Sequence, residues 1–164
     1  MTQHPSPIPC IIALGSNLGD SPTILQGALT RLSQHPQITL QQQSRWYRTA
    51  PVGPPQPDYL NGCVLLAVQL SPHALLNTLL EIEQEFGRVR RDPWGPRSLD
   101  LDIIFYGDTI LETPSLTLPH PRMQDRAFVL IPLCDIAPQW VDPVTGKTVK
   151  DLANRLDCSG VHLQ

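Results

Sequence analysis

A chain of 164 residues, 41% hydrophobic and 16% charged, suits one globular domain with a core large enough to need no covalent staples. Its formal net charge of −3 argues against a general nucleic-acid binder and against a membrane-surface protein. No stretch approaches the ~18 apolar residues of a membrane span.

The cations are unevenly spread. Ten are arginine and two lysine, and eight of the arginines lie between Arg45 and Arg126. A guanidinium offers a planar fork of donors suited to phosphate, so the cluster points to local binding of a small polyanion. Cys10, Cys63, Cys134 and Cys158 form no C-x-x-C pair and no zinc-like spacing, which predicts reduced thiols in a cytoplasmic protein. The opening MTQHPSPIPC lacks a basic region followed by a long apolar core, so no secretory signal is expected in it. Residues 1–9 are expected to form a flexible tail of a single domain covering 1–164.

CIIALGS then reads as a buried strand. GSNLGD supplies turn residues; a phosphate loop is tempting there, but no G-x-x-x-x-G-K-[ST] follows, and turn and cap chemistry explains it more cheaply. Ser21-Pro22 predicts a helix start, with Ser21 as the cap, running to about His35 before Pro36. QITLQQQSRWYRT is a polar strand. APVGPPQPDY, with four prolines and a glycine, is a loop of restricted shape.

YLNGCVLLAVQL is a second strong strand. Ser71-Pro72 caps a second helix whose Leu75, Leu79, Ile82 and Phe86 recur at helical spacing, with Gly87 where a helix end favours glycine. A basic loop, RVRRDPWGPR, leads into RSLDLDIIFYG, where Leu99, Leu101, Ile103 and Phe105 are expected to share one strand face. Short helical pieces are expected near 124–136 and 148–156 in an otherwise loop-rich C-terminal extension. The order strand, helix, strand, strand, helix, strand predicts an α+β fold, the ferredoxin-like βαββαβ antiparallel sheet with both helices on one face.

Asp100 and Asp102 lie on the other face of their strand, with Cα atoms roughly 6.5 Å apart. Two like charges so close need a positive partner. Arg97 is one candidate, in a plain ion pair. The other is Mg²⁺, which takes carboxylate and phosphate oxygens and works in pairs against phosphates. Arg88, Arg90, Arg91 and Arg97 before the pair, with His120, Arg122 and Arg126 after it, suit a site balancing a polyanion and its metals. Trp94, between prolines and glycine, is either partly buried or part of a lid. Tyr59 and Asn61 share a face of their strand. An amide side chain can read the edge of an amide-bearing heterocycle, and a phenol ring beside it can stack. In the expected topology this pair and the two aspartates can occupy the same side of the sheet.

RWYRTAPVGPPQPDYLN, GRVRRDPWGPRSLDLDIIFYG and LPHPRMQDRAFVLIPLCDIAP together resemble the 6-hydroxymethyl-7,8-dihydropterin pyrophosphokinases of folate biosynthesis, from about Cys10 to Pro138. The resemblance implies an enzyme that binds ATP with two Mg²⁺ and then 6-hydroxymethyl-7,8-dihydropterin. It would move the β,γ-diphosphate to the hydroxymethyl oxygen and release AMP. Asp100 and Asp102 would ligate both metals. Arg88, Arg90, Arg97, His120 and Arg126 would contact the nucleotide, Arg88 and Arg97 in catalytic roles, with Ile103 and Thr117 lining its site. The pterin would stack between Tyr59 and Phe128, its edge read by Asn61 and by backbone near Thr49 and Val52. Trp94 and the arginine loop would close over both substrates. No nucleic acid, membrane or obligate partner is implied, and a monomer is expected. Ala50 and Pro121 depart from the family's proline and tyrosine, and the loops GPPQPDY and RVRRDPWGPR each run one residue short. An RNA-recognition module shares the element order but needs exposed aromatics on its central strands, where this chain has LNGCVLLAV and LDLDII.

Overall fold

The computed structural model describes residues 6–51, 55–87 and 98–164. At its centre runs β1 (Ile8–Ser16), apolar and almost wholly buried, because it has a strand on each side and packing on both faces. β4 (Tyr59–Val68) pairs with one edge of β1 and β5 (Asp100–Tyr106) with the other, both antiparallel. Ile8 and Pro9 already pair with Val68 and Ala67, so the strand takes up the last two residues of the expected tail.

The segment read as one polar strand is two, β2 (Ile38–Gln43) and β3 (Tyr47–Thr49), each paired with β4. The break has a physical cause. The Ser44 hydroxyl accepts from the Cys63 N–H at 2.9 Å, while the Arg45 N–H leaves the sheet for the Asp135 carboxylate at 3.1 Å. β8 (Val161–Leu163) adds to the outer side of β3. The path β5-β1-β4-β3-β8, with β2 also on β4, is an antiparallel mixed α/β architecture.

α1 (Ser21–Gln34) and α2 (Pro72–Glu85) cover one face. The α1 cap is Asp20, not Ser21: the Asp20 carboxylate accepts from the Thr23 N–H at 3.3 Å, and Ser21 is instead bonded to the Ser16 hydroxyl at 2.8 Å. The α2 cap is Ser71, whose hydroxyl accepts from the Ala74 N–H at 3.2 Å. Gly87, past the α2 end, has a φ of +81°, open to glycine at little cost. Leu25, Leu29, Leu32, Leu75, Leu79 and Ile82 from the helices meet Ile12, Leu14, Val64, Leu66, Leu101 and Ile103 from the sheet.

The other face is covered too, by the short helical pieces expected near 124–136 and 148–156, whose packing on the sheet the sequence pattern does not show. α3 (Ala127–Ile136) and α4 (Val149–Ala153) pack there on Ile11, Ala13, Cys63, Ile104 and Phe105. The short hairpin β6 (Leu111–Glu112) and β7 (Thr117–Leu118), and a 3-10 turn at Met123–Asp125, lead into α3. Phe105 therefore does not share a face with Leu101 and Ile103. Ile12 lies opposite Ile103 but Ile11 lies opposite Phe105, so Ile104 is the extra residue of a bulge that reverses the alternation. Among the described residues no helix is long and apolar enough to cross a membrane, and the four cysteines are unpaired.

Phe105 is 1% exposed and stacks on Trp140 with centroids 5.5 Å apart. Phe105→Ala is expected to cost about 3–5 kcal/mol of unfolding free energy, read from the denaturant midpoint. A loss below about 1 kcal/mol would mean that this second core does not carry the load its packing indicates.

Candidate active site

The register of three strands decides which side chains meet. Gly15 is opposite Asn61 on β4 and Asp100 on β5, and Ala13 is opposite Cys63 and Asp102. Directly opposed residues point to the same side of a sheet, so Asn61–Gly15–Asp100 and Cys63–Ala13–Asp102 are two rows on one face. Tyr47 lies opposite Asn61 and Thr49 opposite Tyr59, which extends the first row and begins a third. The α3 side of the sheet thus carries Tyr47, Asn61 and Tyr59 on the β3/β4 side of β1 and the carboxylates of Asp100 and Asp102 on the β5 side.

Gly15 is the residue whose part the turn-and-cap reading missed. A Cβ there would lie 2.9 Å from Asn61 Oδ1 and 3.6 Å from Tyr59 Cδ1. The missing side chain leaves the strand as a bare floor between the two groups of polar residues. Asn61 is 6% exposed, and its Nδ2 donates to the Thr49 hydroxyl at 3.2 Å, which fixes the amide's orientation. Asn17, also absent from the expected site, donates to the Gln56 side-chain oxygen at 2.7 Å and the Pro57 carbonyl at 2.9 Å. It ties the proline-rich loop to the end of β1. The signal in GSNLGD was therefore genuine but structural: one glycine for the floor, one asparagine for the loop, one aspartate for the cap.

Asp100 and Asp102 are both partly exposed. Arg126 Nη1 stands 4.0 Å from Asp102 Oδ2, and the same guanidinium lies over the Phe128 ring at 5.5 Å, within cation–π range. Arg126 so stands between Asp102 and the aromatic ring at the start of α3. Between the two aspartates, the Leu101 N–H points off the sheet edge to Glu83 Oε2 at 2.7 Å. Glu83, on α2 and 2% exposed, was not among the expected residues; a charged residue on the apolar stripe of a helix was the available clue.

His120 enters through the turn after β7, where its N–H donates to the Ile104 carbonyl at 3.0 Å. Its Nδ1 accepts from the Arg122 N–H at 3.1 Å, so the neutral ring carries its proton on Nε2. Burial first, then Arg126 and Arg122, push its pKa down to about 4, against a smaller upward pull from Asp100. Thr117 lies on β7 and is partly buried. Ile103 is 4% exposed on the face under α1 and α2, so its side chain lies away from the aspartates, while its main chain belongs to the end strand of the sheet path. Phe128 is partly buried in the first turn of α3. Val52, Arg88, Arg90, Arg91, Trp94 and Arg97 lie outside the described residues.

Among the described residues no three His, Cys, Asp or Glu side chains gather as a self-sufficient metal cage. Two carboxylates on one strand face suit instead a hard cation that keeps waters and takes phosphate oxygens, the habit of Mg²⁺.

The fold is similar to solved longer chains. It superposes on a Plasmodium falciparum HPPK-DHPS with pteroate at TM-score 0.75, 13% identity, over 94% of this chain and 43% of that one. An HPPK-DHPS in complex with substrates gives TM-score 0.73, 12% identity, over 92% and 43%. The chain spans less than half the length of these structural neighbours, and at such identity they speak for the fold alone. Sequence is more specific. A 2-amino-4-hydroxy-6-hydroxymethyldihydropteridine pyrophosphokinase of Synechocystis is 56% identical over 151 residues, 92% of this chain and 77% of its own. One from Methylorubrum extorquens is 42% identical over 151 residues, 92% and 94%. The model of the 7,8-dihydro-6-hydroxymethylpterin-pyrophosphokinase family matches residues 11–138, and the chain belongs to that family.

His120 is expected to stay neutral in the folded ligand-free chain, its C2–H resonance titrating with a midpoint well below the ordinary 6.5 and near the value of about 4. Because the folded state disfavours the proton, the stability this ring contributes is present above pH ~6.5 and is lost as pH falls toward the lower midpoint. A midpoint at 6.5 or above, followed by NMR, would contradict the burial and charge environment given to it.

Proposed function

We propose that the α3-covered face of β3, β4, β1 and β5 is where this chain carries out its family's reaction. The chain is an ATP-dependent diphosphotransferase: it moves the pyrophosphoryl group of ATP to the hydroxymethyl oxygen of 6-hydroxymethyl-7,8-dihydropterin in folate biosynthesis. The observation that carries the siting is the pair of cross-strand rows, which gives a heterocycle-reading end and a carboxylate end separated only by Gly15 and Ala13.

In this reading Asn61 meets the amide edge of the pterin with its donor and acceptor together. Thr49 and Val52 add backbone contacts, and the ring stacks between Tyr59 and Phe128. At the other end Asp100 and Asp102 would hold two Mg²⁺ with ATP. Bound there, the metals would supply charge neutralisation on phosphate oxygens and a lowered pKa for the incoming hydroxyl. Arg126, between Asp102 and Phe128, suits the phosphate nearest the pterin. His120 donates from Nε2 to a phosphate oxygen as a neutral group. Thr117 and the main chain of Ile103, on the end strand β5, line the nucleotide. Arg88, Arg90 and Arg97 neutralise charge on the phosphates and the departing AMP, and Trp94 with its loop excludes water that would otherwise take the diphosphate. Positioning and charge stabilisation carry most of the catalysis in such transfers.

The strand order supports a ferredoxin-like frame, in which β1-α1-β2/β3-β4-α2-β5 forms the βαββαβ unit. We read 1–164 as one domain acting as a monomer in the cytoplasm, in keeping with free cysteines and with two sheet faces that are both covered by the chain's own helices.

Asp100→Asn and Asp102→Asn should each cut AMP formation by about a thousand-fold or more at saturating pterin, as loss of an essential charge in a preorganised site does. Loss of less than about tenfold in either variant would sink the metal assignment.

A further inference from the structure

The carboxylate of Asp135, in the last turn of α3, gathers donors from one short stretch of chain. Arg45 gives it Nη2 at 2.8 Å, Nε at 3.2 Å and its main-chain N–H at 3.1 Å. The Tyr47 hydroxyl stands 2.9 Å from both oxygens. Burial pushes this carboxyl up, but the hydrogen bonds from Arg45 and Tyr47 outweigh it and hold it below the usual carboxylate range. The Asp135 side chain is 15% exposed and its Arg45 partner 63%, so the Arg45 contacts are at the surface while the bond from buried Tyr47 is the partly desolvated, charge-assisted one.

Its two ends matter. Tyr47 is 6% exposed and opposite Asn61, on the face and in the row that holds the amide; the next pair along is Thr49 and Tyr59. Asp135 lies seven residues after Phe128 on α3. That is about two helical turns, so both side chains emerge on the same side of the helix. One contact therefore ties the far end of the helix bearing one wall of the ring site to the strand beside the other wall. A helix held at one end by apolar packing alone can slide or tilt by fractions of an ångström; a multidentate hydrogen-bonded carboxylate cannot without breaking directional bonds.

We propose that Asp135, acting through Tyr47, is a positioning residue that sets the gap between Phe128 and the Tyr59/Asn61 strand, and so the affinity for the heterocycle. It rests on the reading that these residues bind the pterin, and it assigns Asp135 no contact with either substrate.

The test compares Tyr47→Phe, Asp135→Asn, the double variant and, in parallel, Asn61→Ala. Each is titrated with a non-hydrolysable ATP analogue and Mg²⁺, then with 6-hydroxymethyl-7,8-dihydropterin, and is assayed for AMP release. Tyr47→Phe removes one hydroxyl and leaves the Arg45 pair, so it stays informative if Asp135→Asn folds poorly. Expected for both single variants is a rise of about tenfold in pterin Kd and KM, with kcat and the nucleotide Kd held within about twofold. The double variant should be no worse than Asp135→Asn, because the two act as one unit. Lower thermal stability with unchanged pterin Kd, or equal weakening of both ligands, would overturn the proposal while Asn61→Ala still weakens pterin. If Asn61→Ala also leaves pterin binding untouched, the siting of the pterin itself fails, and the proposal with it.

Discussion

The site depends on the register of one strand. β1 is paired on both edges, and Gly15 and Ala13 set which residues of β4 and β5 look at each other across it. Because side chains alternate with period two, a slip of one residue on either edge would send Asn61 or the aspartates to the opposite face, under α1 and α2. The core under α1 and α2 opposes such a slip: on β4 it would take Val64 out of that core, and on β5 it would take Leu101 out and put an aspartate in its place, a cost of several kcal/mol for a buried unpaired charge. Stability on one face thus enforces chemical order on the other.

That division of labour explains why much of the fold was legible in sequence. The strong apolar runs of β1 and β4, the Ser71-Pro72 cap of α2 and the periodic leucines of α2 are local signals, and they appear where the sequence puts them. Strand parity and the order of elements also allowed Tyr59, Asn61, Asp100 and Asp102 to share a face; that they do share it is decided by the register across β1. What local pattern cannot carry is a bulge or a distant partner. Ile104 interrupts the alternation of β5 without any unusual residue to mark it. Likewise Ser44 and Arg45 break the second strand because their partners, Cys63 and Asp135, are remote in sequence.

The C-terminal third shows the same limit from another side. The short helical pieces expected near 124–136 and 148–156 do form, as α3 and α4; what local pattern does not show is that they dock on the other sheet face, where Ile11, Ile104 and Phe105 offer a surface. Helices of this length are marginal alone and gain their stability from packing. Once docked, they do more than shield the sheet: the start of α3 brings Arg126 to Asp102, with Phe128 under the same guanidinium. Gly15 belongs to the same lesson. In sequence it reads as turn chemistry; its work as a bare floor shows only when the Asn61 side chain is seen to occupy the space of a Cβ.

The most direct measurement uses a paramagnetic stand-in for the metal. The ¹⁵N-labelled chain is mixed with a non-hydrolysable ATP analogue, and Mn²⁺ is added in small steps while amide signals are followed. Two metals held against Asp100 and Asp102 should broaden the amides of Gly15, Asp100, Leu101 and Asp102 first, with Asn61 next and the exposed face of α1 and α2 unaffected. Broadening that begins anywhere else, with the start of β5 left sharp, would contradict the placement of the cation site on this face.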